Sequence, residues 1–176
     1  MKKLTKSQHG ITLIELLSTV VIIGIVSAMA VPRFQVAVER VKFRSANRDI
    51  VSTMRLARSL AVSDKQQYGV YFDGAGGSET YSSGLTYTLF MDLDNPANYS
   101  FDAGDSVIRI DTLPPEFTLL VTDITNDAVI FLPNGSAGFT GGGNIVTMAS
   151  TEDLIAILDH NVLASTGRIR SSSYYY

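Results

Sequence analysis

Two periodicities divide this chain. From Ile11 to Val31 apolar residues follow one another almost without interruption, 21 residues with a single charge, Glu15. As a helix at 1.5 Å rise per residue that run spans about 32 Å, the thickness of a bilayer's hydrocarbon core. Beyond it the pattern becomes amphipathic. Phe43, Ala46, Ile50, Met54, Ala57 and Ala61 recur at three- and four-residue intervals, while Arg44, Arg48, Arg55 and Arg58 fall on other faces. That spacing predicts a helix burying one stripe against a domain. Extended to about Ser63, it makes one helix of some fifty residues with Pro32 inside it. Proline removes a backbone donor and crowds the preceding turn, so a kink is expected there.

After Asp64 the period shortens. Residues 67–73, 86–92, 107–112, 117–122, 128–132, 145–149 and 154–159 are short runs rich in β-branched and aromatic side chains. Turn-forming stretches separate them: Gly74 to Ser78, Asn95-Pro96, Pro114-Pro115, Pro133-Asn134-Gly135 and Gly141 to Gly143. Short strands at this spacing predict an antiparallel sheet or small sandwich. The fold class is α+β, a long N-terminal helix packed on a C-terminal antiparallel head. The segments are 1–10, a leader; 11–31, the apolar half of the helix; 32–63, its amphipathic half; and 64–176, a β-rich head with a C-terminal tail.

An ionisable side chain at bilayer depth costs roughly 2.5–3.5 kcal/mol, so Glu15 reads as functional. The ten residues before the apolar run carry Lys2, Lys3 and Lys6 and no acid. Such a leader holds the N-terminus in the cytoplasm and sends the residues beyond the run across the membrane. A plain anchor and a removed secretory signal fit the same run, the latter with Ala28-Met29-Ala30 as its cleavage site. Glu15 argues for a third reading, because a carboxylate at the start of the run serves neither of those but serves an assembling helix. If the chain is cut after Gly10, the new α-amino group of Ile11 complements the Glu15 carboxylate of a neighbour. That pairing offsets burial and sets register.

The formal charge of −3 conceals an asymmetry. Residues 33–65 hold eight basic and three acidic side chains, net +5, whereas 66–165 hold Arg109 against thirteen acids, net −12. Basic stems meeting acidic heads of neighbours is one reading; plain solvation is the other. With no cysteine and with His9 and His160 as the only histidines, nucleophilic and acid–base catalysis find no constellation. His160, in Asp159-His160-Asn161, reads as a turn residue. Asp92, Asp94, Asn95, Asp102 and Asp105 gather oxygen donors of the kind calcium takes, without EF-hand spacing, and solvated turn carboxylates explain them equally. No metal or cofactor site is assigned. In the tail, an extended Gly167 to Arg170 would put Arg168 and Arg170 on one face and Ile169 on the other. Two adjacent guanidiniums suit phosphate, and Tyr174, Tyr175 and Tyr176 suit stacking on unpaired bases. Against that stand the acidic head, pairing of the arginines with nearby carboxylates, and a tail that is simply mobile.

The segment Gly10-Ile11-Thr12-Leu13-Ile14-Glu15, between basic leader and apolar run, resembles the class III signal of type IV pilins and type II secretion pseudopilins. Gly24 and Pro32 match the family's later positions, and Ile11 stands where phenylalanine is usual. Three further segments resemble FimT- and GspH-like minor pilins: Arg55 to Ala61, Phe131-Leu132-Pro133-Asn134-Gly135, and Thr166-Gly167-Arg168-Ile169-Arg170. Pilin heads often carry a disulfide, which this chain lacks. The resemblance implies the pilin fold, with cleavage between Gly10 and Ile11 by prepilin peptidase, N-methylation of Ile11 and docking through Glu15. It implies a non-enzymatic minor pilin that helps to prime a type IV pilus, or else a minor pseudopilin of type II secretion. Its partners would be other pilins in a helical filament and the inner membrane. DNA is a further implied partner, through Arg168 and Arg170. The protein would span the inner membrane once with a periplasmic head, then move into a periplasmic or extracellular filament.

Overall fold

The computed structural model describes residues 11–73, 85–93, 97–139, 141–151 and 154–176. The leader with Gly10, the Gly74 to Ser78 stretch, Asp94 and the Asn95-Pro96 turn lie outside the described residues. The chain divides into two compact units, Met1–Val38 and Glu39–Tyr176.

One helix, α1 (Leu13–Asp64), runs through the boundary and is helical through Pro32. Thr12 caps it: its hydroxyl accepts the Glu15 N–H at 3.3 Å, satisfying one of the donors that every helix start leaves over. In the first unit every residue from Ile11 to Val31 is exposed. This stretch is long and apolar enough to cross a membrane. Its polar members cost little there, since the Ser18 and Thr19 hydroxyls donate to the carbonyls of Glu15 and Leu16 at 2.9 and 2.8 Å. The helix ends where Lys65 turns to a φ of 58°.

In the second unit all six predicted stripe residues of α1 are buried, Phe43, Ile50, Met54, Ala57 and Ala61 completely. They face two antiparallel sheets. The first contains β1 (Gln67–Asp73), β2 (Thr86–Asp92), β3 (Ser106–Thr112), β5 (Ala128–Phe131) and β6 (Ala137–Gly138), in the order β3-β2-β1-β5-β6. The second contains β4 (Phe117–Ile124), β7 (Gly141–Ser150), β8 (Ile155–Leu163) and β9 (Arg168–Tyr175), in the order β4-β7-β8-β9. Directly paired residues share a face. Val70 with Leu89, and Phe72 with Tyr87, therefore line the helix side of the first sheet, where Arg109 donates to the Thr53 hydroxyl at 3.4 Å. On the other side Gly69 lies opposite Phe90, and a Cβ there would come within 2.5 Å of the Phe90 ring. Glycine lets that ring lie flat on the strand, where Phe101 covers it at a centroid distance of 4.9 Å. In the second sheet Leu120, Ile145, Leu158 and Val162 turn inward and are buried. Phe117 meets Phe43 of α1 edge-on at 5.6 Å.

β1 and β2 have the predicted bounds, β5 stops one residue short at Phe131, and β3, β4, β7 and β8 extend past their predicted runs. Three expectations are corrected. Gly141 to Gly143 open β7 instead of forming a turn. His160 is not a turn residue but sits within β8, buried on its inward side. Ser171 to Tyr175 of the tail continue β9, which pairs with β8 from Arg168 to Tyr175. The two-residue strand β6 was not anticipated.

Candidate functional site

The N-terminal turn presents Ile11 (75 % exposed) and Glu15, the only charge within the apolar run. Thr12, Leu13, Ile14 and Glu15 read as threonine-x-x-glutamate, the capping-box spacing. Thr12 was not singled out from the sequence, although this spacing was the signal for it. The backbone half of the box is formed by the Thr12 hydroxyl. Glu15 thus sits in the first turn, where a negative charge also favours the helix dipole.

The second feature lies at the far end of α1, where three separate stretches of chain converge on Arg58. Its Nε donates to the Gly135 carbonyl at 2.8 Å, and its Nη2 donates to the Thr166 carbonyl at 2.9 Å. Gly135 closes the turn between β5 and β6, whose Asn134 side chain accepts the Ser136 N–H at 2.9 Å. Thr166 and Gly167 form the turn between β8 and β9. Gly167 has a φ of +60°, and a Cβ on it would lie 2.3 Å from the Gly135 carbonyl oxygen. Only a residue without a side chain fits that backbone and that approach. The Ala137 N–H adds a bond to the Ala164 carbonyl at 2.8 Å, tying β6 to the same turn. The helix-end, proline-turn and tail segments singled out in the sequence are therefore one clamp. No sequence separation signals that Arg58 is its centre.

Beside the clamp a trough runs between α1 and β9. One hollow of about 750 Å³ is lined by Arg55, Arg58, Ser59, Val62 and Arg168 among others, and a second of about 370 Å³ by Asn47, Arg48, Ser52, Arg55 and Ser171. Ser171 donates to Asn47 at 2.9 Å, and Arg44 lies over the Tyr175 ring at 5.7 Å. Arg168 and Arg170 are both exposed with Ile169 half-buried between them, the alternation expected of an extended tail. Among the described residues the ion pairs are Lys42–Glu116 and Arg109–Asp111, so Arg48, Arg55, Arg168 and Arg170 are not neutralised there.

Of the oxygen donors weighed for calcium, Asp102 accepts from the Asn98 amide and the Ser100 hydroxyl at 2.7 and 2.8 Å. These bonds hold its pKa below the ordinary aspartate value. Asp105 accepts the backbone N–H groups of Asp102 and Leu93 at 2.8 and 3.0 Å. Both carboxylates are engaged in building their own loop. Among the described residues no group of three or more metal-ligating side chains comes together. His160 has neither ring nitrogen hydrogen-bonded, and burial depresses its pKa to about 4.

A membrane-length apolar segment with one carboxylate in its first turn, on a helix whose later turns form the core of a two-sheet antiparallel head, defines a pilin-like subunit. The profile of the family described as type II transport protein GspH matches residues 46–159, and the prokaryotic N-terminal methylation motif matches residues 5–31. The chain belongs to the GspH family of pilin-like proteins. No curated protein matches it. Among solved structures it is similar to two crystal forms of the type IV minor pilin FimU from Pseudomonas aeruginosa. They share 15 % and 16 % identity over 73 % and 76 % of this chain and 91 % and 90 % of theirs, with TM-scores of 0.45 and 0.46.

Proposed function

We propose that this protein is a minor pilin subunit that helps to prime and build a type IV pilus. Its precursor spans the inner membrane once, with the head in the periplasm. Prepilin peptidase cuts between Gly10 and Ile11, and Ile11 is N-methylated. Residues 11–31 then leave lipid for the core of a helical filament shared with other pilins, and Pro32, which has no N–H for the Ala28 carbonyl, lets the helix bend there.

The observation that carries this reading is the full exposure of Ile11 to Val31 around one carboxylate. Water does not tolerate an apolar surface of that extent, so lipid or neighbouring helices must cover it. Aliphatic contacts with lipid and with protein are nearly equivalent, so packing and the Glu15 pair must supply the specificity of assembly. Intact mass and N-terminal sequencing of the protein from its native envelope test the processing step. A chain starting at Ile11 supports it, and one starting at Val31 refutes it. Glu15→Ala should be cleaved normally yet be lost from sheared filaments. Normal recovery in filaments would remove Glu15 from docking.

A second reading, a minor pseudopilin of a type II secretion system, is supported by the description of the family to which the chain belongs. Deletion separates the two. Loss of surface pili with intact protein secretion supports the first, and the reverse supports the second.

A further inference from the structure

β9 is an edge. It pairs with β8 on one side, and among the described residues no strand lies on its other side. Ile155 and Tyr176 exchange both backbone hydrogen bonds, at 3.1 and 2.9 Å. In an antiparallel ladder such pairs alternate, so Arg168, Arg170, Ser172 and Tyr174 direct their backbone groups to β8. The N–H and C=O groups of Ile169, Ser171, Ser173 and Tyr175 then point outward. A row of this kind is a template for one more strand, and proteins usually blunt or cover it.

The surroundings select the kind of strand. By the strand's alternation Arg168 and Arg170 fall on the outward face of the sheet, and Arg168, at the turn end of β9, also lines the trough. On the inward face the same edge borders the trough lined by Arg48 and Arg55. Among the described residues none of these four guanidiniums is ion-paired, and none of the residues lining either hollow is acidic. A strand laid along β9 would alternate its side chains between two arginine-lined faces.

We propose that the β9 edge, with its basic trough, takes an acidic extended segment of a neighbouring protein subunit as a fifth strand of the second sheet. The inference rests on the filament reading only for the source of that neighbour. Polypeptide fits better than nucleic acid because the edge offers carbonyls as well as N–H groups at strand spacing. An added strand satisfies both, whereas phosphates would lie against the carbonyls. The net charge of −12 over residues 66–165 also opposes a long polyanion while leaving a short local site usable.

The test uses the full chain in detergent micelles, a labelled heptapeptide alternating Glu and Val, its Gln/Val counterpart, and a twelve-nucleotide oligothymidylate. The Glu/Val peptide should bind at least tenfold more tightly than the Gln/Val one, and Arg55→Ala combined with Arg168→Ala should weaken it at least tenfold. Bound peptide should slow hydrogen exchange at Ile169, Ser171, Ser173 and Tyr175, whose amides face outward. Equal binding of the two peptides, binding without that protection, or no binding overturns the proposal. Tighter binding of the oligothymidylate through the same arginines, without edge protection, also overturns it and assigns the trough to nucleic acid. Recovery in filaments is read separately with Glu15→Ala. Peptide binding by a protein that never enters filaments would uphold the added strand and refute only the filament role.

Discussion

His160 should make the head acid-sensitive in a way that one substitution removes. Its ring is fully buried on the inward side of β8, beside Ile145 of β7 and Ser171 of β9 in register, with both nitrogens unpartnered. Burial disfavours the imidazolium and lowers the pKa from 6.5 to about 4. Above pH 6.5 the ring is neutral folded or unfolded, and no dependence arises. As pH falls below 6.5 the unfolded chain takes up a proton that the folded state refuses until pH 4, so stability falls throughout that window and levels off beneath it. At about 1.4 kcal/mol per pH unit the loss is on the order of 3 kcal/mol. His160→Leu keeps similar volume and removes two unsatisfied nitrogens, so it should match or exceed the parent at pH 7. Urea unfolding in micelles, followed by tyrosine emission, reports the difference, since the chain has eight tyrosines and no tryptophan. Carboxylates titrating in the same window are common to both proteins and cancel. The gap between variant and parent should widen by about 3 kcal/mol from pH 7 to pH 4. A gap that stays constant would refute the reasoning.

Arg58→Ala removes both bonds to the Gly135 and Thr166 carbonyls and should cost about 2 kcal/mol in denaturant unfolding. Arg55→Ala, one turn away and without a hydrogen bond among the described residues, should stay within about 0.5 kcal/mol. Gly167→Ala must hold a φ of +60° and displace the Gly135 carbonyl, so a loss of at least ~2 kcal/mol is expected in thermal unfolding. Phe43→Ala empties a fully buried site against Phe117 and should destabilise the head by roughly 3–5 kcal/mol by the same unfolding measurement.

Where an element is governed by neighbours in the chain, the residues alone were enough. The apolar run and the stripe from Phe43 to Ala61 follow from a period that any helix must express, and each stripe residue is buried. The seven-residue runs of β1 and β2 stood out for the same reason. His160 was misread because Asp-His-Asn has turn composition. Its place in the alternation Ala156, Leu158, His160, Val162 was the better signal, since period two continues through it. Beyond Arg170, β9 showed no such alternation: three serines and two tyrosines have little apolar pattern, and they form a strand because β8 supplies a ladder for them. The same limit applies to the groups with functional promise.

Glu15 stood out because a charge in an apolar run is conspicuous by itself. The sequence alone therefore determined the membrane-length helix, the lone carboxylate in its first turn and the β character of the head, all of which arise from contacts within a few residues. Only the tertiary structure decided that Arg58 joins segments 77 and 108 residues away, that Arg55 and Arg168 line one trough, and that β9 is left as an open edge. Those are meetings of distant backbone carbonyls, guanidiniums and strand edges. They depend on how helix and sheets pack, and no local pattern of side chains encodes them.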